Sequence, residues 1–182
     1  FLATLGNSYF WLIGLVFQTN IIEYGKSFLQ LNEMQNSLLA AVLALGIACG
    51  AMLASRLSGK KVELGLVPLG GIGIIVFSIA LYFTKYSYLA TNVSLFVLGI
   101  SAGLYIVPLF AYLQFTAAPS EKGRVLATVG VLNALFMVLG ALLYKLLAVS
   151  LGLHADKLYL VMGITTVLVV VYICTVIPEY FF

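Results

Sequence analysis

Charge is what this chain has least of. Its 182 residues include nine Lys or Arg and six Asp or Glu, 8% in all, whereas a soluble domain carries about 25%. With 63% hydrophobic residues and a mean hydropathy of +1.16, this excludes a water-soluble domain and marks an integral membrane protein. A net charge of +3 supplies no basic patch, so no nucleic-acid partner is expected. There is a single histidine, and no span holds paired carboxylates or a Cys and His cluster. That disfavours an intramembrane enzyme, and no catalytic residue, metal or cofactor is assigned. Cys49 and Cys174 both fall in apolar stretches and read as small apolar side chains, not a disulfide. The chain also lacks an initiator Met and a cationic lead-in to a cleavable signal, so it reads as a fragment.

Alternation is absent too. Runs such as Val167 to Val176 do not switch between apolar and polar, as the strands of a membrane barrel do. Helices satisfy every backbone group within one segment, and each span needs about 20 apolar residues. The expectation is an all-α membrane protein with six transmembrane helices forming a single domain, at 5–22, 37–54, 64–83, 89–115, 124–147 and 158–177.

The first span is the most polar. Asn7, Trp11, Gly14 and Gln18 share one helix face, which either lines a polar cavity or spreads interfacial anchors, with Trp11 and Tyr9 at one surface and Gln18 to Asn20 at the other. Glu23 to Gln35 reads as a loop, with Asn32 and Gln35 as a capping box for the second span. Gly46 and Gly50 form a small-xxx-small face, and Gly70, Gly71 and Gly73 read as a close helix crossing. Lys85 is expected to be solvated between interfacial tyrosines, and Asp156 to cap the last helix beside a solvated His154.

The fourth span has Gly99 and Gly103 four apart for close packing, and Pro108, which frees a carbonyl and kinks the helix. Gln114 either reaches the headgroups or serves a cavity. Asn133 lies nine residues past Arg124, about 13 Å deep. At that depth an amide needs a partner, either a neighbouring helix or a water-filled cavity. It shares a face with Met137, Gly140 and Tyr144, and that face is expected to point into the bundle. Lys145 snorkels at the far interface.

Arg56, Lys60, Lys61, Lys122 and Arg124 cluster in the loops after the second and fourth spans. The positive-inside rule puts these gating loops, and both chain ends, in the cytoplasm. A phosphate-binding role for the first of them is the sharper alternative. Six helices with inward ends match one half of a twelve-helix transporter of the major facilitator type, built from two inverted three-helix repeats.

The stretch Gly103-Leu-Tyr-Ile-Val-Pro-Leu-Phe-Ala-Tyr-Leu-Gln114, with Pro119-Ser-Glu-Lys-Gly-Arg-Val-Leu-Ala127 and Leu132-Asn133, resembles bacterial lysophospholipid transporters of the major facilitator superfamily. Tyr24-Gly-Lys26 and the run from Leu57 to Gly70 resemble the variety fused to an acyltransferase and an acyl-carrier-protein ligase. The likeness covers nearly the whole chain as helices seven to twelve. It departs at Phe110, where the family has Asn, at Phe115-Thr116, where it commonly has His-Arg, and at Ser55, where an aspartate is usual.

The resemblance implies translocation of lysophospholipids, chiefly lysophosphatidylethanolamine, across a bacterial inner membrane by alternating access. It implies as partners membrane lipids, a missing N-terminal six-helix half and a fused or associated acyltransferase. On this reading Asn7, Gln18 and Asn133 hydrogen-bond a headgroup, Trp11, Phe136 and Met137 touch the acyl chain, and Gln114 completes the cavity. An exporter of drugs or other small solutes and a membrane anchor for an acyltransferase are the alternatives.

Overall fold

The computed structural model describes residues 2–59 and 62–176, and every regular element among them is helical. There are six long helices: α1 Leu2–Leu29, α2 Glu33–Ser58, α3 Leu66–Phe83, α4 Tyr88–Thr116, α5 Lys122–Tyr144 and α6 Ala155–Val176. Five, α2 to α6, are long and apolar enough to cross a membrane. α1 is the polar exception, yet it carries Ile13, Val16, Phe17 and Ile21 into the common core.

The expected loop from Glu23 is mostly helix. α1 runs on to Leu29 because Tyr24 is buried and its hydroxyl donates to Leu81 O at 2.6 Å, while Glu23 and Lys26 stay exposed. Hydropathy falls there because the helix nears the headgroups, not because it ends. The break comes at Gln30, with φ of 50°. The capping box then starts α2 as expected: Gln35 N donates to Asn32 Oδ1 at 2.9 Å and Asn32 N to Gln35 Oε1 at 3.1 Å. α2 stops at Gly59, whose φ of 53° suits glycine. Lys60 and Lys61 of the first basic loop lie outside the described residues.

α2 and α4 are packed backbone to backbone. A Cβ on Gly46 or Gly50 would fall on the carbonyls of Phe96 or Ile100, and one on Gly99 or Gly103 on those of Leu43 or Ile47. In lipid no hydrophobic force pulls helices together, so this close contact of small residues supplies the attraction. α3 lies against α4 and α6, with Gly70 under Ser101 and Tyr105 and Gly71 under Val170. Pro68 sits in the first turn of α3, where its missing N–H costs nothing. α4 runs through the buried Pro108 without ending.

α1 crosses the middle of the bundle and touches α2, α4, α5 and α6. α5 buries only Val129 and Gly140, the latter against the Leu12 backbone. It passes into a π-helical turn, Lys145–Ser150, three residues beyond the expected end of the fifth span, and Lys145 is exposed there. α6 begins at Ala155, ahead of the expected start, and its expected end at Ile177 lies outside the described residues.

Asp156 lies inside the first turn of α6 and does not cap it, and Lys85 is only partly exposed. Lys85 Nζ donates to Asp156 Oδ2 at 2.5 Å, with the lysine side chain 19% and the aspartate 4% exposed. The ammonium lies 4.8 to 5.5 Å from the ring centroids of Tyr82, Phe28 and Tyr86. The salt bridge ties the α3–α4 turn to the head of α6, and the contact with Phe28 adds the tail of α1.

Candidate functional site

Asn133 enters the bundle from α5 and meets α1 across the gap. Its hydrogen-bond network fixes the amide orientation. With Oδ1 accepting from Trp11 Nε1 at 3.1 Å, Nδ2 donates to Ser8 Oγ at 2.9 Å and Val129 O at 3.2 Å and lies 2.9 Å from the Asn7 amide. The reverse orientation puts the nitrogen against the Trp11 N–H, two donors face to face. Asn7 and Ser8 are fully buried.

These residues border a recess of about 360 Å³ between α1, α4 and α5. Asn7, Trp11, Gln114 and Asn133 supply its polar groups, and Phe110, Ile106, Val107 and Ala111 of α4 supply its apolar wall. Asn133 hydrogen-bonds across to α1 and also borders this recess.

The other expected residues fall elsewhere. Trp11, Gln18 and Met137 line a second, mainly apolar recess of about 250 Å³ along α1, α2 and α4. Phe136 is parted from them and borders a groove with Tyr9, Val169 and Tyr172, against α6. Tyr9 is no interfacial anchor, since its hydroxyl pairs with Thr165 Oγ1 at 3.2 Å and Thr166 Oγ1 at 2.9 Å. Asn20 is buried and donates to Ala155 O at 2.8 Å. Arg56, Lys122 and Arg124 are exposed at the opposite end from Lys85, and Arg124 pairs with Glu121 at 2.7 Å.

Two contributors were not assigned to the cavity from the sequence, although Phe110 stands out there as a departure from the family's Asn. Ser8 follows Asn7 directly and carries no periodic signal of its own. Phe110 lies one helical turn before Gln114, so their shared face was there to be read.

A bundle of apolar helices packed through glycines around an uncharged polar recess defines a multi-pass membrane protein of the helical transporter class. The chain belongs to the Major Facilitator Superfamily, whose sequence profile matches residues 1–180. It is similar to the lysophospholipid transporter LplT of Photorhabdus laumondii, 31% identical over 133 residues, 71% of this chain and 30% of that protein. It is also similar to the LplT of Enterobacter sp. (strain 638), 30% identical over 137 residues, 73% of this chain and 31% of that one. The chain thus aligns with less than a third of each curated relative's length. No solved structure matches it.

Proposed function

We propose that this chain is the C-terminal half, helices seven to twelve, of a lysophospholipid transporter of the bacterial inner membrane. Lysophosphatidylethanolamine is its main substrate. Its role is passage, not chemistry. The two halves rock against each other about a shared cavity, the basic loops and both ends of this half face the cytoplasm, and an acyltransferase, fused or associated, reacylates what is delivered.

One observation carries the reading. The recess is bordered by the amides of Asn7, Asn133 and Gln114 and by the Trp11 indole, and no described residue bordering it is charged. An ammonium or hydroxyl of a headgroup hydrogen-bonds to those amides, while the phosphate must find its cations on the other half. Phe110 at the family's Asn position makes this wall less polar, which favours a headgroup held by few hydrogen bonds.

The test is flipping of labelled lysophosphatidylethanolamine in vesicles by the full-length protein, with and without Asn133→Leu. Losing the amide leaves Asn7, Ser8 and Trp11 short of a partner, and a drop of about tenfold or more is expected, the equivalent of about 1.4 kcal/mol. Wild-type protein that moves a drug-like solute but no lysophospholipid makes the chain an exporter half. Flipping left intact by Asn133→Leu removes the recess from the pathway.

A further inference from the structure

We infer that the apolar recess along α1, α2 and α4 holds the alkyl chain of the lysophospholipid and that Gly14 sets how long a chain fits. The inference rests on the function proposed above and extends it to a second subsite.

The two recesses share one wall. Trp11 borders both, its indole N–H bonded to Asn133 on the polar side and its ring edge-on to Phe10, 5.9 Å between centroids. A ligand that fills both must be polar at one end and apolar at the other. Beyond Trp11 the lining includes Gly14, Leu43, Ile47, Leu98 and Met137, with Gln18 its one amide, and the recess continues along α1 to Ile21. Ten residues of helix span about 15 Å, so the recess runs about that far along α1. Its length suits one extended alkyl chain.

Gly14 is the residue the fold does not explain. Gly46, Gly50, Gly99, Gly103 and Gly140 each lie against a neighbouring backbone that a Cβ would strike, but nothing comes within 4 Å of a Cβ placed on Gly14. A glycine inside a helix costs about 1 kcal/mol relative to alanine. Here it leaves room in the recess instead of permitting a helix contact. Gly130 is equally open, but it lines neither recess.

The experiment measures flipping by the full-length protein of lysophosphatidylethanolamines that differ only in acyl length, for wild type, Gly14→Ala and Gly14→Leu. Because the site is open, both variants are expected to accumulate like wild type and to melt no lower. Gly14→Leu is expected to lower flipping of the longest chains about tenfold, the affinity that losing roughly two buried methylenes removes, while the shortest are unchanged. Gly14→Ala shifts the profile the same way by less. An unchanged length profile in Gly14→Leu overturns the inference, as does an equal loss at every length, which would mean that the recess receives the other half of the protein instead. Wild type that flips no lysophospholipid of any length overturns the functional reading itself, and the inference falls with it.

Discussion

Lys85 shows how much one charge can hold at the end of a helical bundle. Its ammonium is bonded to Asp156 and ringed by Phe28, Tyr82 and Tyr86. The hydrogen bond to Asp156 raises its pKa above the ordinary value of 10.5. A group held charged in the fold stabilises it fully below its unfolded pKa, and that contribution is lost as pH rises through the folded one. The melting temperature of the purified protein should therefore hold up to about pH 10 and begin to fall above it as this contribution is lost. Lys85→Met should melt lower at neutral pH and show a smaller drop above pH 10, and a melting curve identical to wild type at both pH values would remove the clamp. This contact was illegible beforehand because Lys85 and Asp156 are 71 residues apart, and each alone looks like a surface charge near an interface. Asn133 was legible for the opposite reason. An amide so deep in an apolar helix must have a partner wherever the neighbouring helices lie, so its depth announced a polar contact before the partners Asn7 and Ser8 were known.

At the scale of elements, the α2–α4 pair is where pattern and packing agree most closely. The four-residue spacing of Gly46 and Gly50 and of Gly99 and Gly103 predicts a close crossing, and the glycines of each helix lie on the backbone of the other. Gly50→Val would drive a branched side chain into the Ile100 carbonyl, which no rotamer relieves, and overpacking of this kind costs about 1–3 kcal/mol or more. The expected result is a lower melting temperature and poor accumulation in the membrane, whereas Gly14→Val, on an open face, is expected to leave both intact. Equal behaviour of the two variants would show that the α2–α4 contact does not hold the bundle together. Helix ends were harder to read than helix contacts. α1 outruns its apolar run by about two turns because Tyr24 carries it against α3, and hydropathy reports where the lipid stops, not where the backbone hydrogen bonds do.

At the scale of the whole molecule, the helices divide by how much of them is covered. α4 buries Leu95, Leu98, Tyr105 and Leu109 in the core, whereas α5 leaves Val131, Leu135, Val138, Leu139 and Leu142 exposed, and α2 leaves Leu38, Leu45, Met52 and Leu53. The polar recess between α1, α4 and α5 has no charged residue among the described residues that line it. A lysophospholipid carries a phosphate that such a lining cannot balance, and burying an unpaired charge is far more costly than any hydrogen bond this recess offers. On the function proposed above, transport would require a second half that closes the cavity, brings the cations and rocks against this one. The 182-residue chain, purified and reconstituted alone, is accordingly expected to insert and fold but to flip no labelled lysophosphatidylethanolamine above the rate of empty vesicles. Flipping by the full-length protein in the same vesicles, under the same membrane potential, is the comparison that gives this meaning. Equal rates from the chain and the full-length protein would place the whole pathway within α1 to α6 and leave rocking between halves with no part in it.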